Sequence, residues 1–173
     1  MGEFHQHRPF SFCPHCAGPL GNRLLKPGEP ERLVCGDCGF VYYLDPKIAA
    51  CTVTSYDDRI VLVKRAIEPA YGKWVIPGGF VDRGETVEEA AVRETREETE
   101  LEVRLTGLLN IYSYPGSIVV VVAYTAAPVG GVPRAADEAL DIGLFKPEEV
   151  PWEELAFPST RDALQDYLKR FYY

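Results

Sequence analysis

The chain has 173 residues, of which 46% are hydrophobic and 25% are charged, a composition typical of a soluble globular protein with one core and a small appendage. Its formal net charge of -8 argues against broad affinity for nucleic acids or anionic membranes, because binding to polyanions relies on surplus Lys and Arg. No apolar run reaches the roughly 20 residues that span a bilayer, and the start MGEFHQHRPF lacks the features of a secretory signal. We therefore expect a cytoplasmic protein whose partners are small molecules, with no membrane association.

Two C-x-x-C pairs lie near the start of the chain, formed by Cys13 with Cys16 and by Cys35 with Cys38. Their separation is typical of a tetrahedral site in which four thiolates bind one zinc ion. Four thiols with coincidental spacing are the alternative. Because sulfur would fill all four positions, the zinc would be structural, and it would stabilise a segment too short to fold by burial alone. The pattern predicts a zinc ribbon over residues 1–45.

The rest of the chain, residues 46–173, is predicted to form an α/β domain. Short segments rich in β-branched residues predict strands near 47–55, 59–65, 102–112 and 117–125. Within the last of these, the run from Ile118 to Val122 is apolar on both faces, which indicates a central strand covered on both sides. Alternating strands and helices favour a sheet sandwiched between helices.

Two segments predict helices, one from Thr86 to Thr99 and the other from Ser159 to about Phe171. Ser159 or Thr160 would cap the second helix, because both carry side-chain oxygens that can accept from helix backbone N–H groups. Its buried stripe would contain Leu164, Tyr167, Leu168 and Phe171.

The first helix combines an apolar beginning with acidic residues on the same stripe. Thr86 followed by Glu89 predicts a capping box, so the helix should start near Val87. At 3.6 residues per turn, Val87, Ala90 and Ala91 share an arc into which Glu94 and Glu98 also fall, with Glu97 beside them. The period therefore places carboxylates where core residues are expected.

Like charges at this spacing destabilise a helix unless something positive lies nearby. Arg93 can reach Glu97, but we expect that one guanidinium cannot serve three carboxylates. A divalent cation such as Mg²⁺ can, since it prefers oxygen ligands. An acidic, solvated helix is the alternative.

The loop before this helix favours the metal. Gly78 and Gly79 follow Pro77, and Gly84 precedes Glu85, so the backbone can approach closely on each side of FVDR. The pattern glycine, five residues, glutamate, seven residues and R-E-x-x-E-E resembles the Nudix box. The residues at its defining positions are Gly79, Glu85, Arg93, Glu94, Glu97 and Glu98.

Two positions depart from the box. Thr95 occupies a place that is usually aliphatic, and Glu100 replaces the glycine that normally closes the helix. Because a left-handed C-cap disfavours residues other than glycine, we expect a differently shaped helix end. Neither departure removes a predicted metal ligand.

The resemblance implies a Nudix α/β/α sandwich with a mixed sheet that hydrolyses a nucleoside diphosphate linked to another moiety. Glu94, Glu97 and Glu98 would bind Mg²⁺ or Mn²⁺, while Glu85 and Arg93 would brace the loop and helix. The ribbon and the motifs DPK, RAIEP, GKWVIPGGF and LFKPEEVPWEELAFPS look like those of the zinc-ribbon FAD/ADP-ribose pyrophosphatases and, more distantly, the NADH pyrophosphatases.

The S-Q-P-W-P-F-P-x-S array of the NADH enzymes is absent, with only AFPS at 156–159 similar to its end, which favours FAD or ADP-ribose as substrate. The alternatives are an NADH or NAD-capped RNA pyrophosphatase and a non-catalytic nucleotide sensor; a homodimer is possible. The general base would be Glu94, Glu98 or Glu138, and Gly79 would let a substrate approach. The remaining candidates for substrate contact are Arg65 for a phosphate and Tyr71, Trp74, Tyr112 and Tyr114 for ring stacking.

Overall fold

The structure, a computed structural model, describes residues 10–172, and the chain divides into two compact units between Pro46 and Lys47. The first unit is a three-stranded antiparallel sheet in the order β1-β2-β3. Its strands are β1 (Leu20–Arg23), β2 (Arg32–Cys35) and β3 (Val41–Tyr42). The small core of this unit includes Cys13, Leu33, Val34 and Cys35, so the cysteine turns and the sheet pack together.

The second unit contains seven strands and two α-helices. In chain order they are β4 (Lys47–Tyr56), β5 (Arg59–Arg65), β6 (Trp74–Val75), β7 (Gly78–Phe80), α1 (Val87–Thr99), β8 (Glu102–Tyr112), β9 (Val119–Gly130), β10 (Ala139–Phe145) and α2 (Pro158–Phe171), with 3-10 turns at Pro147–Glu149 and Trp152–Glu154. The main path of the sheet is β10-β5-β4-β9-β8, while β6 pairs with β5 and β7 pairs with β4. Strands β4 and β9 are parallel and the other pairs are antiparallel, so the sheet is mixed, as predicted.

Each helix covers one face of this sheet. Successive side chains of β4 alternate between the two layers, because neighbouring residues on a strand point to opposite faces. Val53 packs with Leu164 of α2, whereas Ala50 packs with Ala90 and Ala91 of α1. The α/β/α sandwich is therefore confirmed.

Helix α2 begins differently from the prediction. Pro158 occupies its first turn and Phe157 is the N-cap residue, without a side-chain hydrogen bond. Ser159 and Thr160 are buried inside the first turn, so neither is the cap. Proline suits this position because its missing N–H would be unpaired there anyway. The predicted stripe is buried except for Phe171, which is 51% exposed at the last position of the helix.

The strand predictions were incomplete in two respects. The sequence analysis did not predict strands β6, β7 and β10. Strand β9 lies within the sheet, but Ile118 is exposed just before it and residues 119–122 are half-buried, so the prediction of cover on both sides was wrong there. The buried part of this strand lies further along, at residues 123–126.

The C-terminal end of α1 has the ordinary left-handed cap. Glu100 adopts φ 56° and ψ 12°, and its N–H donates to the Arg96 carbonyl oxygen. The expectation of a differently shaped helix end was therefore wrong, and a glutamate occupies a conformation that favours glycine. Within residues 10–172, no helix is long and apolar enough to cross a membrane.

Candidate active site

The start of α1 is fixed by the predicted capping box. Thr86 Oγ1 accepts a hydrogen bond from Glu89 N–H at 3.1 Å, and Glu89 Oε2 accepts one from Thr86 N–H at 2.8 Å. Immediately before this box, the Asp82 N–H donates to Glu85 Oε1 at 2.6 Å. The capping box satisfies N–H groups at the start of the helix that would otherwise be unpaired, and the Asp82 contact fixes the Glu85 carboxylate in the loop just before α1.

Arg93 connects three carboxylates at the centre of the site. Its guanidinium nitrogens lie 2.7 Å from Glu85 Oε1, 2.8 Å from Glu94 Oε1 and 3.0 Å from Glu97 Oε2. It also donates to the Phe80 carbonyl oxygen at 3.2 Å. The hydrogen bond from Arg93 lowers the pKa of Glu85. Of the three helix glutamates Arg93 therefore contacts Glu94 and Glu97, and no contact with Glu98 is found among the described residues, which agrees with the expectation that one guanidinium cannot serve all three. Its third carboxylate is that of Glu85 in the preceding loop, because the donors of arginine point in several directions.

Glu98 lies outside this arginine cluster and is buried, with 6% of its surface exposed. One carboxylate oxygen accepts a hydrogen bond from Gly78 N–H at 2.9 Å. The pKa of Glu98 is raised to about 7, mainly by burial, with smaller contributions from the charges of Glu94 and Glu138. A buried carboxylate with no neighbouring cation in contact disfavours its own ionised form, so this group can hold a proton near neutral pH.

The two glycines before the helix have steric reasons to be glycine. A Cβ at Gly79 would lie 2.5 Å from Glu94 Oε1, and a Cβ at Gly78 would lie 2.5 Å from the Ala50 carbonyl oxygen. Gly78 also has φ 151°, which disfavours other residues. The loop therefore packs directly against the Glu94 carboxylate and the neighbouring strand β4, and any side chain there would push it away.

The glutamates of α1 provide oxygen donors of the kind that a hard divalent cation prefers. Burial raises the pKa of Glu94, so Glu94 and Glu98 both carry an electrostatic cost that a cation would relieve. Glu97 is the most exposed of the three helix glutamates, with 46% of its side chain accessible. In the described structure these three carboxylates are not gathered within 4.8 Å of one another, and Arg93 contacts Glu94 and Glu97. Arg93 and a cation are thus competing partners for the same oxygens.

The other predicted contact residues fall into two groups. Near the glutamates, Arg65 donates to the Pro69 carbonyl oxygen at 3.0 Å. Its positive charge partly offsets the rise in the pKa of Glu98 that burial causes. Glu138 is exposed, and its charge raises the pKa of both Glu94 and Glu98. These two residues therefore lie on the side of the molecule that carries the site.

The aromatic candidates are mostly structural. Trp74 is buried with its ring edge-to-face against Phe145, and Tyr112 is buried with its hydroxyl donating to Asp166 on α2 at 2.8 Å. Their burial contradicts the prediction that these two rings stack on a substrate. Tyr114 likewise donates to α2, at Asp162. Tyr71 is 58% exposed and remains a candidate.

Two functional groups of the loop were missed in the sequence analysis. The Gly78 N–H holds the Glu98 carboxylate, and the Phe80 carbonyl oxygen holds Arg93. Both are backbone groups, to which residue identity gives no direct signal. The pair of consecutive glycines was the available sign that backbone comes close to the helix here.

The four ribbon cysteines form a second potential metal site. Their sulfurs all lie within 4.8 Å of one another, with Cys13 and Cys38 separated by 3.8 Å and Cys16 and Cys35 by 3.5 Å. Sulfurs bound to one zinc at about 2.3 Å in a tetrahedron lie about 3.8 Å apart, so the cluster fits zinc. Without a metal the thiols share their protons unequally: backbone N–H groups of Cys38 and Asp37 lower the pKa of Cys35, while hydrogen bonds with Cys38 and Cys35 raise the pKa of Cys16.

Comparisons with known proteins agree with this geometry. A family model described as NUDIX domain matches residues 45–167, and one described as Nudix N-terminal, a zinc ribbon, matches residues 11–44. The ADP-ribose pyrophosphatase of Methanocaldococcus jannaschii is 37% identical over 131 residues, which cover 73% of this chain and 76% of that protein. The NAD-capped RNA hydrolase NudC of Chromobacterium violaceum is 35% identical over 150 residues, which cover 86% of this chain and 53% of that protein.

The crystal structure of a NUDIX hydrolase from Nitrosomonas europaea superposes with a TM-score of 0.88 at 31% identity, covering 94% of this chain and 92% of the other. The chain spans only about half the length of the matched NAD-capped RNA hydrolase from Chromobacterium violaceum. The zinc ribbon, the α/β/α sandwich and the complete glutamate motif on α1 together lead to one conclusion: this chain belongs to the Nudix hydrolase family, in the group that carries an N-terminal zinc ribbon.

Proposed function

We propose that this Nudix hydrolase cleaves the diphosphate of a nucleoside-diphosphate-linked substrate into two monophosphates, with ADP-ribose or FAD as the substrate, and that it depends on Mg²⁺ or Mn²⁺. The observation that carries the proposal is the buried Glu98 carboxylate, held by Gly78 N–H and lying beside a second carboxylate, Glu94, whose pKa is also raised. A protein keeps such a costly arrangement where charge chemistry requires it.

Glu94, Glu97 and Glu98 would hold the divalent cation. When bound, the cation would neutralise charge on the diphosphate oxygens and lower the pKa of a water molecule. The fit follows from the donors, which are carboxylate oxygens at neighbouring positions of α1, and from the electrostatic cost that burial imposes on Glu94 and Glu98 without a cation. In the ribbon, Cys13, Cys16, Cys35 and Cys38 would hold a structural zinc, because four sulfurs leave no open position for catalysis.

Residues of the chain itself would position the loop beside the substrate and accept a proton during the reaction. Arg93 holds Glu85 and the Phe80 carbonyl oxygen, so the loop before α1 stays fixed against the helix. If Glu98 does not bind the cation itself, it would be a proton acceptor held in place by the Gly78 N–H at 2.9 Å. Glu94 and Glu138 remain the alternative bases.

The choice of substrate rests on resemblance. The relative from Methanocaldococcus jannaschii is named ADP-ribose pyrophosphatase and matches along most of its length, which supports ADP-ribose ahead of FAD. The NAD-capped RNA hydrolases support a second candidate, cleavage of NADH or of an NAD cap, by the same chemistry with a different leaving group. A non-catalytic sensor is disfavoured because every charged position of the Nudix box is present.

The test is an assay of the full chain with ADP-ribose, FAD, NADH and NAD-capped RNA, each with Mg²⁺ or Mn²⁺, with products resolved by chromatography. We expect AMP plus ribose 5-phosphate from ADP-ribose, or AMP plus FMN from FAD, at a kcat/KM of about 10⁴ M⁻¹s⁻¹ or higher. Glu97→Gln and Glu98→Gln should abolish turnover, while Glu148→Gln, a change at an exposed site on a 3-10 turn, should not. No turnover of any substrate, with nucleotide still bound, would support the sensor instead.

A further inference from the structure

The segment from Gly131 to Glu138 crosses the C-terminal end of α1. The Arg134 N–H donates to the Thr99 carbonyl oxygen at 3.0 Å, and the Ala136 N–H donates to the Glu98 carbonyl oxygen at 3.2 Å. The last carbonyls of a helix have no partners within the helix, so the segment supplies partners for two of them. One of these carbonyls belongs to Glu98, a residue of the candidate site.

Glu100 contributes a side-chain contact to the same junction. Its left-handed backbone is strained for a non-glycine residue, yet the chain carries glutamate there. The Glu100 carboxylate lies 3.7 Å from Arg134 Nε. At the start of the segment Gly131 has φ 81°, and a Cβ there would collide with the Glu100 carbonyl oxygen, so the backbones meet closely. A residue keeps a strained backbone conformation when contacts with its surroundings stabilise it, and the ion pair with Arg134 is one such contact.

The C-terminal end of the segment lies on the side of the domain that carries the candidate active site. The Glu138 carbonyl oxygen accepts from Ala66 N–H at 2.8 Å, next to Arg65, and the Ala139 N–H closes a turn onto the Ala136 carbonyl oxygen at 3.0 Å. The segment therefore brings Glu138 within two residues of the backbone contact between Ala136 and Glu98, and ties it on its other side to the end of β5. Burial is the main cause of the raised pKa of Glu94 and of Glu98, and the charge of Glu138 makes a minor contribution to both.

We propose that Glu100 and Arg134 are positioning residues, which hold the segment 131–138 against the end of α1 and thereby direct Glu138 toward Glu94 and Glu98. The inference deepens the proposed function and rests on it for the role of Glu138. It explains why the box carries glutamate at position 100: the side chain supplies an anchor that glycine lacks. The competing explanation is a surface ion pair without consequence, which is common for exposed pairs.

The substitutions Glu100→Gly and Arg134→Ala separate these explanations. Glu100→Gly removes the anchor and also relieves the strained backbone, so the protein should be at least as stable as the wild type. Under our proposal both variants nevertheless exchange the amide protons of Arg134 and Ala136 faster, by about two- to fivefold, the range expected for losing one exposed ion pair. Arg59→Ala, which removes another exposed pair with Glu149 at 4.0 Å, is the matched control and should leave these amides unchanged.

The link to Glu138 is tested by titrating the proteins with Mn²⁺ alone and by measuring kcat and KM. Arg134→Ala should weaken Mn²⁺ binding and lower kcat by about two- to fivefold with little change in KM. The same substitution in a Glu138→Gln background should have no further effect, because the group being positioned is gone. The charge-reversed pair Glu100→Arg with Arg134→Glu should recover part of the loss.

A failure of this inference can be distinguished from a failure of the proposed function. If the wild type hydrolyses no nucleotide, the proposed function fails, and hydrogen exchange together with Mn²⁺ binding still decides whether the segment is anchored and coupled to Glu138. Unchanged amide exchange in both anchor variants would overturn the anchoring. An equal loss of Mn²⁺ binding from Arg134→Ala with and without Glu138 would overturn the positioning.

Discussion

Replacing Glu98 by glutamine should stabilise the fold of the protein without Mg²⁺ or Mn²⁺ while it abolishes turnover. Glutamine has nearly the same shape, and its side-chain oxygen can still accept the hydrogen bond that Gly78 N–H donates to Glu98 at 2.9 Å. The substitution therefore removes the buried charge and keeps the packing. A gain in stability together with a loss of turnover is expected only if the carboxylate is retained for function.

The magnitude follows from the pKa of Glu98, which burial raises from 4.5 to about 7. Each pKa unit corresponds to about 1.4 kcal/mol, so keeping this group ionised in the folded state costs up to about 3 kcal/mol at neutral pH. The folded state binds the proton more tightly than the unfolded state. The cost is therefore absent below pH 4.5, grows as the pH rises to 7, and is complete above pH 7.

The assay is urea unfolding at pH 5.5 and at pH 7.5, with zinc retained and no other divalent metal added. Both tryptophans of the chain, Trp74 and Trp152, lie in the second unit, so their fluorescence reports its unfolding. The free energy of unfolding of the wild type, compared with that of Glu98→Gln, should fall by about 2 kcal/mol from pH 5.5 to pH 7.5. This is the part of the cost of ionising Glu98 that develops between these two pH values. Adding Mn²⁺ should restore stability to the wild type more than to the variant. A variant destabilised equally at both pH values would refute the reasoning.

Four further outcomes are expected. Gly79→Ala should lower kcat at least about tenfold with little change in melting temperature, because the added methyl displaces the Glu94 carboxylate; an active variant would show that the close approach is not required. Arg93→Lys should weaken both Mn²⁺ binding and turnover by about tenfold or more, since one ammonium cannot replace contacts to three carboxylates. Tyr112→Phe should cost about 1 kcal/mol in urea unfolding, by losing the hydrogen bond to Asp166, and should leave kcat unchanged. A zinc chelator should unfold the ribbon as seen by circular dichroism, and loss of turnover with the ribbon still folded would contradict a purely structural zinc.

Local chemistry made much of the fold predictable. The capping box at Thr86 and the apolar residues that follow it predicted the start of α1 at Val87, which the structure confirms. The spacing of the cysteines likewise predicted a cluster whose sulfurs do come together. Both signals involve groups that are close in sequence or that share one ligand, so a short pattern carries the information.

The errors arose where distant contacts decide the outcome. Strands β6 and β7 have two and three residues and exist because they pair with β5 and β4, which no local propensity shows. The burial of Trp74 depends on its edge-to-face contact with Phe145, far along the chain. The pairing of Arg93 with Glu85 also depends on tertiary structure, because the preceding loop returns Glu85 to the helix, and it was expected only from the resemblance to the Nudix box.

The places where local rules fail lie together at one end of α1. Glu98 puts a carboxylate where the helix period calls for an apolar residue, and Glu100 puts a side chain where the cap calls for glycine. Natural sequences are locally consistent for the most part, so violations that cluster in space mark positions that function has selected over stability. The first violation supplies a carboxylate that can hold a proton or a cation. The second lies at the backbone junction with the segment that carries Glu138. Under the proposals above, one requirement accounts for both violations, namely that Glu98 and Glu138 are held on the side of the domain where the loop at Gly78 meets α1.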